Sequence, residues 1–148
     1  MENRRSFLAS ALAALSALGL TARANAAPAS SGKQKVVYHL SDLDKVNFVL
    51  GNIKNHIKGM GGPDKVDIQL VVHGPALKAF HTNKAKPGLD VTLDSLRGEG
   101  VGLTACGNTM RAQKVEISQI MQGFVRRDEG GVVVIALLEQ QGYVYLRP

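Results

Sequence analysis

Short apolar runs rich in branched side chains recur along this chain, separated by stretches whose apolar residues return every three or four positions. The runs at residues 35–40, 66–72, 101–105, 124–127 and 143–146 predict five β-strands. The first three are apolar without strict alternation, the pattern of parallel strands covered on both faces. After the first run, Leu43, Val46, Val49, Leu50, Ile53 and Ile57 follow helical spacing and predict a helix with that whole stripe turned inward. Ser41 and Asp42 offer caps for it, Asp44 places negative charge in its first turn, and the glycines from Gly59 to Gly62 end it. Pro75 suits the start of a short helix over 76–80, a polar loop follows over 81–89, and a third helix spans 91–97 before Gly98 or Gly100.

Past the third strand, Asn108 or Thr109 starts a helical turn running toward Arg111, and Ile117, Ile120 and Met121 have helical spacing. Residues 132–141 are ambiguous, because three valines favour a strand and the Ala-Leu-Leu-Glu-Gln-Gln tail favours a helix. Gly142 is a natural helix stop, so a helix is expected. Strands alternating with helices predict an α/β fold, a three-layer sandwich with a mostly parallel β-sheet flanked by helices. No internal repeat interrupts this order.

The first residues carry a different pattern. Arg4 and Arg5 precede Phe7-Leu8, an Ala- and Leu-rich run continues to Leu20, and Ala24-Asn25-Ala26 has the small-x-small form of a signal-peptidase site. This resembles a twin-arginine export signal, and its apolar run falls short of the ~20 residues that span a bilayer. The expected organisation is a signal at 1–26, a flexible leader at 27–34 and one α/β domain at 35–148, in the periplasm and with no membrane contact after cleavage. Cleavage leaves 122 of the 148 residues, enough for one core, and removing three arginines and one glutamate lowers the net charge from +6 to +4. The remaining Lys and Arg residues are scattered without interleaved aromatics, which argues against a nucleic-acid surface.

Only one cysteine is present, so an intramolecular disulfide is excluded. Cys106 directly follows the third strand, and an unpaired thiol in an oxidising compartment is liable to oxidation unless it is protected or used. Burial as a small hydrophobe is the alternative reading of it. Ligands and chemistry of parallel sheets gather at the carboxyl ends of the strands. His39, His73 and Cys106 fall at three such ends. Backbone N–H groups of Gly107, Asn108 and Thr109 could favour a thiolate there, and Arg111 could add a cation. His73 or His39 could act as a base, whereas His56 and His81 read as surface residues. A Cys-His-His metal set is conceivable, but no CxxC or HxxxH spacing supports it, and no metal or cofactor is expected. Gly98-Glu99-Gly100-Val101-Gly102 leads into a strand, the reverse of a dinucleotide-binding turn.

The blocks Val71-Val72-His73-Gly74-Pro75-Ala76-Leu77, Ala105-Cys106-Gly107-Asn108-Thr109-Met110-Arg111-Ala112 and Gln141-Gly142-Tyr143-Val144-Tyr145-Leu146-Arg147-Pro148 together resemble the small single-domain DsrE/DsrF-like sulfur-relay proteins. The resemblance implies a Rossmann- or flavodoxin-like topology and assembly into trimers or hexamers. It also implies that Cys106 takes up sulfur as a persulfide and passes it on, between a donor and an acceptor that the chain does not name. The best-understood members of that family act in the cytoplasm beside partner subunits, so an export signal sets this chain apart from them. The other expectation is a non-catalytic oligomeric module of the same fold that binds a small ligand or a metal.

Overall fold

The computed structural model describes residues 32–148, and the expected export signal and most of the expected leader lie outside the described residues. Five strands form one sheet: β1 (Gln34–Leu40), β2 (Val66–Val72), β3 (Gly102–Cys106), β4 (Phe124–Arg127) and β5 (Val144–Leu146). Their order is β4-β3-β2-β1-β5, and every pairing is parallel. The chain steps outward from β1 to β4 and then returns across the sheet to lay β5 on the free edge of β1. Gln34, expected in the leader, already pairs with Val66 in β1.

Four helices fill the crossovers: α1 (Val46–Gly59), α2 (Leu89–Gly98), α3 (Gly107–Gln113) and α4 (Gly131–Gln140). The two faces of the sheet are covered unequally. One face carries the main core, where Val36, Tyr38 and Leu40 of β1, Ile68, Leu70 and Val72 of β2, and Leu103 and Ala105 of β3 meet Val49, Leu50 and Ile53 of α1, Leu93 and Leu96 of α2, and Met110 of α3. The opposite face has a small core in which Val134 and Ile135 of α4 pack on Val37 and Val71. Strands read as apolar on both sides because both sides are buried at the sheet centre.

The short helix expected over 76–80 is a 3-10 helix spanning Gly74–Phe80. Two expectations change. Ile117–Gln119 is a single 3-10 turn in place of a longer helix. Ile120 leaves that turn as extended chain and bridges His81, so its burial comes from a cross-chain pairing that mimics helical spacing. Leu43 lies in a separate 3-10 turn ahead of α1 and is 48 % exposed, off the inward stripe that Val46 begins.

The two sides of α1 differ enough to be measured. Ile53 is fully buried, so Ile53→Ala is expected to lower the unfolding free energy by about 2–5 kcal/mol through lost burial and a residual cavity. Phe48, on the same helix but 56 % exposed, should cost no more than about 0.5 kcal/mol when truncated to Ala. Denaturant titrations of the two variants check the assignment of the helix face.

Candidate functional site

Side chains alternate across a strand, and partners in parallel register share a face. Val37 and Val71 meet α4, so His39 and His73, two residues further on, stand on the α4 side at the carboxyl ends of β1 and β2. Val71 pairs with Thr104, which places Cys106 on the same side of β3, and Val37 pairs with Tyr145, which places that tyrosine there on β5. Tyr145, His39, His73 and Cys106 therefore cross four adjacent strands on one face. His39 Nδ1 is 2.7 Å from the Tyr145 hydroxyl, and His39 Nε2 hydrogen-bonds His73 Nε2 across rings inclined by 19°. Partial burial, helped by the neighbouring His73 and Arg147, pulls His39 down to about 4, and burial lowers His73 as well. Both effects favour the neutral imidazole at pH 7.

Cys106 is the last residue of β3, and its sulfur lies inside the protein, 5 % exposed. Gly131, the first residue of α4, donates its N–H to Cys106 Sγ at 3.1 Å. Burial alone would push the thiol up, but hydrogen bonds from the Thr109 hydroxyl and from the N–H groups of Thr109, Gly131 and Asn108 outweigh it and hold the thiol below the ordinary cysteine range. Thr109 is itself oriented. The Gly74 N–H donates to Thr109 Oγ1 at 2.9 Å, leaving the hydroxyl proton free for the sulfur. Gly74 is held by Gln113, whose Nε2 donates to the Gly74 carbonyl at 2.9 Å while its Oε1 lies 2.8 Å from His81 Nε2. His81, expected on the surface, is a buried brace of this loop. His56, also expected on the surface, is half-buried and lies 2.9 Å from the Tyr38 hydroxyl, on the other side of the sheet.

Close approach of three chain segments makes the donors available. A Cβ on Gly107 would lie 2.9 Å from the Arg127 carbonyl oxygen and the Asp128 Cα, so only glycine lets β3 turn into α3 against that backbone. A Cβ on Gly131 would lie 3.2 Å from His73 Cβ and 3.4 Å from Cys106 Cβ, which also locates the histidine and the cysteine on either side of one glycine.

The Arg111 guanidinium donates to Asp128 at 2.9 Å and to the Asn108 side chain, so it steadies the loop after β4 and does not reach the sulfur. Arg126 shares Asp128, and Arg127 pairs with Glu129. Glu129, Asn108, Thr109, His73 and Val132 line a crevice of about 230 Å³ at Cys106. A larger cleft of about 570 Å³ opens between Leu43, Val46, Lys78 and Leu89, but it contains neither the thiol nor a histidine, and reactivity belongs to the smaller space. Among the described residues no three His, Cys, Asp or Glu side chains converge as metal ligands, so Cys106, His39 and His73 are neighbours without forming a ligand cluster.

The structure brings Cys106, both histidines and the turn after β3, all named from the sequence, to one face, and adds Gly131, Gly74 and Tyr145, which the sequence reading did not place there. Two adjacent glycines ahead of an apolar helix were the available signal for Gly131, and alternation along β5 was the signal for Tyr145.

No protein-family model matches this chain, and no curated protein does. Solved structures share its fold, two of them as follows. A protein of unknown function from Methanobacterium thermoautotrophicum, MTH1491, superposes with a TM-score of 0.69 at 24 % identity, over 78 % of this chain and 100 % of its own. The ychN protein from E. coli superposes with a TM-score of 0.61 at 17 % identity, over 78 % of this chain and 99 % of its own. The chain thus has the fold of these proteins, a parallel five-stranded sheet flanked by helices.

Proposed function

We propose that the protein is a sulfur carrier, a DsrE-like relay component working outside the cytoplasm, in which Cys106 takes up sulfur as a persulfide and hands it to an acceptor. The observation that carries this reading is the buried Cys106 sulfur with N–H and O–H donors from α3 and α4 directed at it. A thiol that merely packs needs no such donors, whereas a thiolate or a persulfide anion in a buried crevice does. The Cys106 thiolate attacks the outer sulfur of a persulfide donor R–S–SH, the S–S bond breaks, and R–S⁻ departs, leaving Cys106–S–SH. No electron is gained or lost overall, so the step needs no cofactor. A thiolate of the acceptor then attacks the outer sulfur of Cys106–S–SH in the same way.

The same proposal includes homo-oligomeric assembly, as a trimer or hexamer. Val132, Val133 and Leu137 support it, as large apolar side chains left exposed along the outer side of α4 beside the crevice.

Incubation of the purified protein with a small persulfide should add one sulfur atom at Cys106, read by mass spectrometry of the intact chain and its peptides. Cys106→Ser should keep the circular-dichroism spectrum and lose the mass shift, and a wild-type protein that stays unmodified while folded would sink the carrier reading. The rate of Cys106 alkylation against pH should have its midpoint below that of free cysteine, which lies near pH ~8.5. Thr109→Val removes a donor to the thiolate and should raise that midpoint by about one unit, equivalent to ~1.4 kcal/mol of lost thiolate stabilisation.

A further inference from the structure

Two imidazole nitrogens that face each other can hold one proton between them: two N–H groups would collide and two lone pairs would repel. This constrains the row from β5 to β2. His39 Nε2 faces His73 Nε2, and His39 Nδ1 faces the Tyr145 hydroxyl. With neutral rings only two arrangements satisfy every bond. In the first, Tyr145 O–H donates to His39 Nδ1, His39 Nε2–H donates to His73 Nε2, and His73 carries its own proton on Nδ1. In the second each donor has become an acceptor: His73 Nε2–H donates to His39, His39 Nδ1–H donates to the tyrosine oxygen, and His73 Nδ1 is bare. The two arrangements differ by the passage of one proton along the whole row, with no ring ever becoming a cation.

The ends of the row lie in the right places for such a passage. Tyr145, on the sheet-edge strand, is 39 % exposed. His73 lines the Cys106 crevice and sits against the same glycine as the cysteine, and its Nδ1 has no hydrogen-bond partner among the described residues and is not a buried orphan.

We propose that Tyr145, His39 and His73 form a proton relay from solvent at the β5 edge to the sulfur crevice, supplying the proton taken up by the thiolate that leaves when Cys106 accepts sulfur. This deepens the carrier reading and rests on it. As the donor S–S bond breaks, R–S⁻ takes the proton from His73 Nδ1 and leaves as R–SH. His73 Nε2 receives the proton of His39 Nε2, His39 Nδ1 receives that of Tyr145, and the tyrosine oxygen takes one from solvent water, whose hydroxide passes to the bulk and is neutralised by buffer. The charged groups around the row are Arg147 and Asp42, which face both histidines and each other, and Glu129 at the crevice wall. Arg147 is anchored on Ser41 at 3.0 Å and Asp42 at 3.1 Å, and its positive charge keeps the rings from storing a second proton.

The test compares two reactions of the same sulfur in the full chain. Single-turnover persulfidation by cysteine persulfide releases a thiolate that needs a proton, whereas alkylation by iodoacetamide releases iodide, which does not. Tyr145→Phe breaks the row at its outer end, and His39→Gln keeps hydrogen-bonding groups but cannot pass a proton. Each variant is expected to slow persulfidation by at least about ten-fold between about pH 6 and 8, with alkylation changed by less than about two-fold. Persulfidation unchanged in either variant, or alkylation slowed as much as persulfidation, overturns the relay. If the wild-type protein accepts no sulfur at all, the carrier reading fails on its own, and ¹⁵N spectra of the imidazoles judge the row. One proton shared between His39 and His73, with shifts that follow Cys106 ionisation, upholds the coupling to the sulfur. Two independent imidazoles end it.

Discussion

A buried sulfur that accepts backbone N–H groups has to be approached by several chain segments at once, and much of the α4 side of this fold follows from bringing such donors to Cys106. Ending β3 at the cysteine exposes the sulfur to the first N–H groups of α3. Bringing the first residue of α4 to the same atom requires the segment after β4 to pass directly over the sheet end, which it does through Gly130 at φ 95° and Gly131. Packing of Val134 and Ile135 on Val37 and Val71 then fixes the helix. The small second core thus has an electrostatic purpose: burying roughly four branched side chains, at ~1.5–3 kcal/mol each, sets the direction of one N–H group toward one sulfur.

The division of labour between the two faces accounts for how the molecule tolerates a polar site in its interior. The face bearing α1, α2 and α3 carries most of the apolar burial and supplies the stability. The α4 face, lightly covered, carries Tyr145, His39, His73 and Cys106 at its carboxyl end, with Tyr143 bonded to Asp67 at 2.6 Å nearer the other end. No buried side-chain nitrogen or oxygen among the described residues lacks a partner. The site draws on the main core through α3, whose Met110 is buried there while Asn108 and Thr109 stand beside the sulfur.

Most of the architecture was legible from local pattern. The β2 run at 66–72 was read to the residue, and the ambiguous segment after Gly130-Gly131 is the helix that Gly142 suggested, because valines on its outer side meet no neighbour that would demand a strand. What failed depended on contacts between distant segments. Ile120 imitated a helical position while bridging His81, and His81 gave no sign of its bond to Gln113, 32 residues on. The cysteine was visible from its own neighbours, but the donor from Gly131 comes from 25 residues away and reaches it only through the last crossover. A single chain displays spacing, and spacing alone does not reveal which loop folds back over which strand.

That last crossover also sets when the site comes into being. Among the described residues β5 is the last strand and pairs with the first, and the contact between His39 and Tyr145 spans 106 residues. Contacts of such separation close late, because the loop between them must be ordered before they return any free energy. A chain whose last crossover has not closed therefore has the cysteine without the Gly131 donor and the histidine pair without Tyr145. The completed site is accordingly a signature of complete folding, and a chain that stops short of its last strand carries the thiol beside a row that lacks its outer end.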